Sequence, residues 1–284
     1  MVLQILISGL LLGGIYALMG LGLSLTLGVM RIVNLAHGVF YALGSFVIYS
    51  FVVQAKVNSF LALFFTFIIL FFLGIFVERI LLKPVRESEM NVMIVTFALA
   101  IFAEQCIRLG WGVMYRSTPP FFKGELKIGE VFVDYQRMLA FGMGMAIIFG
   151  LLVALKKTKL GKATRLVQQN YEMAMLLGVN VNFISMVVYG TGVALAALAG
   201  CLLAPLYLIF PAMGWTPLLM SFAIVILGGM GSILGTVIGG FLFGLTTLLT
   251  SYYISSGMVN VVPFLAMIVT LLIRPGGFFG KEIF

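Results

Sequence analysis

Long apolar runs separated by short polar connections dominate the chain. Runs without a single charge cover residues 5 to 29, 57 to 77, 138 to 155, 183 to 210, 216 to 254 and 257 to 273, and two further largely apolar stretches, 39 to 54 and 92 to 110, fill the gaps between them. A spanning helix needs roughly 20 mostly apolar residues, because in hydrocarbon only a helix or a closed barrel satisfies its own backbone hydrogen bonds. None of the runs alternates apolar with polar residues as a membrane barrel strand would. The pattern predicts an all-α, polytopic membrane helical bundle of about eight or nine transmembrane segments with broken helices, forming one domain over residues 1–284.

Composition agrees. With 62% hydrophobic and 9% charged residues and a mean hydropathy of +1.20, the chain has too little polar surface to cover a water-soluble globule. The first run has no basic leader and is followed by Arg31, so a retained first helix that keeps Met1 is expected rather than a cleaved signal. The net charge of +8 does not point to nucleic acid, because the basic residues lie in short connections where the positive-inside bias puts them.

Charge also orients the chain. Lys156, Lys157, Lys159, Lys162 and Arg165, opposed locally only by Glu172, place the 156–182 loop in the cytoplasm. Counting spans from there puts residues 111–137 and the N-terminus outside, and Arg274 and Lys281 inside. The 111–137 insert carries Arg116, Lys123, Lys127 and Arg137 against Glu125, Glu130 and Asp134, and Thr118-Pro119-Pro120 forbids a regular helix there. It suits contact with a soluble partner and equally suits a plain connector.

Candidate chemistry is sparse. No nucleophile–base pair, metal cluster or Walker loop is visible, no cofactor is expected, and Cys106 and Cys201 read as small core residues. An enzyme is therefore disfavoured. A carrier driven by an ion gradient usually keeps ionisable groups at membrane depth; the one good candidate is Glu104, and Arg108 four residues later can neutralise it. Glu78 beside Arg79 reads in the same way. Glycines at four-residue spacing, Gly9 and Gly13, Gly231, Gly235 and Gly239, Gly240 and Gly244, make stripes for close helix packing.

The 164–178 stretch is more informative. As one helix it sets Val167, Tyr171, Ala174 and Gly178 on one face and Arg165, Gln168, Gln169 and Glu172 on another, with Gly178 as its stop. An amphipathic helix lying on anionic lipid would also fit. Glu172-Met173-Ala174 followed by Gly178 resembles the EAA loop of ABC importer permeases, whose second residue is Ala where this chain has Met173. In that family the loop is a coupling helix that docks into the ATPase, which assigns Glu172, Ala174, Gly178 and Arg165 to coupling.

Further motifs extend the likeness. Gly13-Gly14-Ile15-Tyr16-Ala17-Leu18, Asn34-Leu35-Ala36-His37-Gly38, Gly228 to Gly235 and Arg274-Pro275-Gly276-Gly277-Phe278-Phe279-Gly280 resemble, in order over essentially the whole chain, the branched-chain amino acid permease family of the bacterial cytoplasmic membrane, in its LivH type. The resemblance implies a heterodimer with a LivM-like permease, two ATP-binding ATPase subunits, and a periplasmic or extracellular substrate-binding protein. Relatives are associated with leucine, isoleucine and valine, and also with urea, short amides and organic acids.

Two of these motifs have a physical reading of their own. Asn34 to Gly38 and Gly228 to Ser232 interrupt apolar runs with glycine and small polar groups, and a break frees backbone groups that lipid cannot satisfy. Both breaks are expected to line a translocation route, through Asn34, His37, Gly38, Gly228, Gly229, Gly231 and Ser232. An interfacial turn is the competing reading for the first, because Arg31 draws it towards the cytoplasm.

Overall fold

A computed structural model describes residues 2–128, 131–259, 261–274 and 276–279. Met1, Glu130, Pro275, Gly280 and Lys281 lie outside the described residues. The helices in chain order are α1 (Val2–Met30), α2 (His37–Tyr49), α3 (Ser59–Val77), α4 (Glu89–Trp111), α5 (Tyr135–Lys157), α6 (Lys159–Gln169), α7 (Tyr171–Leu176), α8 (Val181–Leu203), α9 (Trp215–Gly228), α10 (Ile233–Tyr253) and α11 (Val261–Ile273). π-Helical turns extend α2 to Gln54 and α3 to Leu82, and a 3₁₀ turn, Pro211–Gly214, leads into α9. Eight of these helical units are long and apolar enough to cross a membrane, with α11 shorter.

The only strands among the described residues form a hairpin between α4 and α5. β1 (Glu125–Ile128) pairs antiparallel with β2 (Val131–Asp134), with Glu125 opposite Asp134. Proline excluded a helix from this connection, and an isolated bridge between Arg116 and Ile209 holds its start against the α8–α9 connection. The hairpin marks one end of the bundle. Lys83, Arg86 and the lysines around α6 mark the other, called the basic end below.

The core is built on α1 and α8. In α8, 83% of the most apolar stretch is buried, against 28% in α4 and 22% in α5, so α8 is the central post and α4 and α5 are peripheral. Lipid supplies no hydrophobic drive between helices, and close approach through small residues replaces it. A Cβ on Gly13 would lie 2.7 Å from the Phe241 backbone, and one on Gly240 would lie 2.5 Å from the Ala17 backbone. The predicted glycine stripe thus joins α1 to α10. Gly190 of α8 packs in the same way on Phe71 of α3, and Cys201 donates to Gly44 O at 3.3 Å.

Three expectations need correction. The run 164–178 is not one helix: α6 ends at Gln169, Asn170 is extended, and its side chain accepts from Met173 N at 2.9 Å to cap α7. Asparagine offers the backbone this alternative to a continuous helix. Glu78 does not pair with Arg79. It is fully buried and pairs with Arg86 at 3.5 Å, because adjacent helical residues do not face each other. Cys106 is exposed on α4, whereas Cys201 is buried as expected.

Candidate functional site

The first break is a climb back into the bundle. After α1 ends, Arg31 takes a left-handed conformation (φ 55°) and the chain reverses without regular structure to residue 36. Leu35 N donates to Thr96 Oγ1 at 3.2 Å, and Thr96 lies seven residues, or about 10 Å, along α4 from the basic end. His37 Nε2 meets Met19 O at 3.0 Å, about 16 Å along α1 from its end at Met30. A carbonyl only accepts, so Nε2 carries a proton, and Nδ1 has no hydrogen-bond partner. Asn34 and His37 are buried, and the Asn34 side chain accepts from Ala36 N at 3.0 Å. The expectation of a break close to the interface is therefore replaced by a helix that starts at mid-depth.

That start is tightly placed. The Gly38 backbone touches that of Gly214, where a Cβ on either would collide with the other's carbonyl. No side chain caps α2, and no hydrogen bond from the amides of Gly38 or Val39 to the residues ahead of the helix is found. Both residues line a small groove, of about 10 Å³, with Leu35, Ala100, Glu104, Pro211, Gly214, Trp215 and Leu218. Glu104 is held on both oxygens: Oε1 accepts from Arg108 at 2.6 Å and Oε2 from the Trp215 indole at 2.9 Å. The Glu104–Arg108 pair was legible from its spacing, whereas Trp215 is brought in by tertiary structure.

The second break lies at the basic end. Gly229 (φ 96°) and Gly231 (φ 78°) turn the chain in a region where a β-branched residue would be strained. Ser232 Oγ accepts from Gly235 N at 3.1 Å and caps α10. The chain's final described residues cover the end of α9, where Phe278 N donates to Leu227 O at 2.9 Å and Phe279 N to Gly228 O at 3.2 Å. Gln168 of α6 reaches the break itself, its Nε2 donating to Gly231 O at 2.8 Å. A Cβ on Gly28 of α1 would sit 2.8 Å from Gly231 Cα. The fold does not bring the two breaks together.

The α6–α7 segment projects from the same end. Val167 and Ala174 are buried against the bundle, while Arg165, Glu172 and Gly178 are exposed. Tyr171, expected on one face with Val167 and Ala174, is exposed where they are buried, because the break at Asn170 ends the single helix that would align them. Met173, Met175, Leu176 and Leu177 are exposed large apolar side chains, Leu176 at 82%. Gly178 (φ 78°) ends the segment. A groove between this segment and the end of α1 is lined by Val29, Met30, Arg31, Gln169, Asn170, Tyr171 and Glu172. Gln168 as a link to the second break had no sequence signal beyond its place on the polar face.

Comparison with known proteins covers nearly the whole chain. The permease protein LivH of the high-affinity branched-chain amino acid transport system of Salmonella typhimurium is 30% identical, over 98% of this chain and 96% of that one. The corresponding protein BraD of Pseudomonas aeruginosa is 29% identical over the same shares. A probable LivH of Methanocaldococcus jannaschii is 28% identical over 98% of this chain and 93% of its own. Among solved structures, one chain of PsaBC from Streptococcus pneumoniae in complex with Fab superposes with a TM-score of 0.55 over 97% of this chain and 94% of that chain, at 12% identity, a likeness of fold alone. The family described as branched-chain amino acid transport system, permease component, matches residues 5–271. This chain belongs to that family.

Proposed function

We propose that the chain is the permease subunit of an ABC importer, passing branched-chain amino acids across the cytoplasmic membrane while separate ATPase subunits supply the energy. The family membership carries this reading. The basic end faces the cytoplasm, because its lysines and arginines lie in short connections; the hairpin end and the N-terminus then face outward and the C-terminus inward. A LivM-like permease pairs with this chain, two ATPases sit beneath α6–α7, and a binding protein delivers substrate at the hairpin end.

The physics of coupling follows from the α6–α7 segment. Exposed methionines and leucines on a cytoplasmic projection offer an apolar contact, with Glu172 and Arg165 as its polar rim. Gly178 allows the chain to leave the segment at a sharp angle. Closure of the ATPases on ATP pulls the segment, and the Gln168 to Gly231 hydrogen bond carries that displacement to the joint between α9 and α10. In this reading Gly228, Gly229, Gly231 and Ser232 form a hinge at the inner mouth of the route. Asn34, His37 and Gly38 set the helix start that faces it deeper in the bundle.

Glu172→Arg in the assembled complex tests the assignment. ATP-driven uptake into proteoliposomes should fall at least to roughly a tenth, with loss of ATPase co-purification, as expected when a charge is reversed at an interface. Uptake that stays at the unmodified level would overturn the coupling role. Uptake that survives ATP depletion but stops when ion gradients collapse would overturn the importer reading.

A further inference from the structure

A shaft beside the first helix has a polar mouth and apolar walls, and we infer that it holds part of an anionic phospholipid, with the phosphate at Arg137 and one acyl chain along α1. The inference goes beyond the permease reading and does not depend on which substrate the chain passes.

The cavity lies at the hairpin end, between α1, the start of α5, the α8–α9 connection and α10, and has a volume of about 130 Å³. Its mouth carries Arg137, Tyr207 and Ser8, and its walls carry Leu11, Leu12 and Ile15 of α1 with Leu248 of α10. Depth in the bilayer sorts these groups. α1 has 29 residues and is about 43 Å long, the thickness of a bilayer with its headgroups. Arg137 is two residues inside α5, about 3 Å from its start, whereas Ser8 lies about 9 Å and Ile15 about 20 Å from the start of α1. The polar groups therefore lie at headgroup level and just beneath it, and the apolar wall runs from there towards mid-bilayer.

Charge selects the head. The guanidinium and the two hydroxyls all donate, no carboxylate among the described residues lines the cavity, and Arg137 makes no ion pair among those residues. Tyr207 lies within electrostatic reach of Arg137, so one anion meets both. A phosphate suits the guanidinium in particular, because the planar fork matches two of its oxygens. Basic pockets between membrane helices take lipid headgroups on the same principle.

Space selects the tail. An apolar cavity of roughly 150 Å³ takes a benzene-sized guest, so this one takes a short stretch of hydrocarbon rather than a whole chain. The rest of the lipid has a surface to follow, because Leu10, Met138 and Leu249, each next in sequence to a lining residue, are exposed large apolar side chains. A free amino acid would leave its ammonium without a carboxylate in this lining, and a bare phosphate would leave the apolar wall unfilled. An anion joined to hydrocarbon fits both parts. The bound lipid ties α5, whose most apolar stretch is only 22% buried, to α1 and α10.

Photolabelling tests the site in the assembled complex, placed in phosphatidylcholine nanodiscs with a trace of phosphatidylglycerol that carries a diazirine in the upper part of one acyl chain. Peptide mass spectrometry should find adducts concentrated at residues 11–15 and around Leu248, above the level at Phe64 and Phe72, which are exposed on α3. Unlabelled phosphatidylglycerol should compete them away, while equal amounts of phosphatidylcholine, inorganic phosphate or leucine should not. Arg137→Ala should lower the α1 adducts about fivefold, the share of one basic residue at a membrane surface, with α3 labelling unchanged, and Arg137→Lys should keep most of them. Leu12→Trp, which fills the shaft, should lower them as well in a complex that still co-purifies, and carries the test if Arg137→Ala fails to assemble. Adducts unchanged in either variant, or competed equally by phosphatidylcholine, would overturn the inference. Displacement by leucine would overturn it too, and would give the cavity to the transported substrate.

Discussion

The two helix breaks look alike in sequence and differ in what the fold makes of them. Asn34 to Gly38 and Gly228 to Ser232 each combine glycine with a small polar residue between apolar runs. The first starts a helix at mid-depth, with Asn34 and His37 buried and Gly38 against Gly214. The second turns the chain at the basic end through two left-handed glycines and is tied to α6 by Gln168. One break seats a helix end against Gly214, and the other is tied by Gln168 to α6, in the segment proposed above to meet an ATPase. Position against the neighbouring helices separates them, not composition.

That contrast can be broken at its tightest point first. Gly38→Val should prevent folding of the subunit, because any side chain there enters the Gly214 backbone and overpacking against backbone has no rotamer escape. Folded yield by size-exclusion chromatography in detergent reads the result; a normal yield with normal uptake would mean that the first break is as yielding as the second. Gly231→Val comes next. Its left-handed backbone costs a β-branched residue more than the ~1–2 kcal/mol of an ordinary side chain, and its Cβ meets Gln168 and Gly28 at 3.0 Å. Assembly should survive while uptake is lost, measured on co-purified complex.

The smaller effects sharpen the comparison. Gln168→Ala removes one hydrogen bond to Gly231, worth about 1 kcal/mol, so uptake per ATP hydrolysed should drop several-fold while folded yield stays unchanged. His37→Leu removes the bond to Met19 O at the first break. Interhelical polar contacts in membranes average about 0.6 kcal/mol, so the expected change is a thermal midpoint lower by a few degrees with ATPase coupling retained. If Gln168→Ala lowered stability and left coupling alone, the second break would be a bearing like the first.

Much of this was legible in the sequence. Charge-free runs of spanning length, basic connections and glycine stripes are local patterns with direct physical meaning, and the structure returns them as α1, α3, α5, α8 and α10 and as the α1–α10 contact. The i to i+4 spacing was enough for Glu104 and Arg108, because one helix places both. The same reasoning failed for Glu78, whose partner Arg86 lies beyond the helix in a turn. It failed for α6–α7 as well, where periodicity overlooked the capping side chain of Asn170.

What the sequence determined by itself is the solvent of the chain, the helical class and an approximate set of eight or nine apolar segments, since these depend on transfer free energies and backbone hydrogen bonds that each segment settles alone. Only the tertiary structure decided that the first break lies deep in the bundle, that Glu104 shares a groove with Trp215 and the start of α2, and that Gln168 reaches Gly231. Those are contacts between segments far apart along the chain, set by which glycine faces let helices approach, and no local pattern carries them.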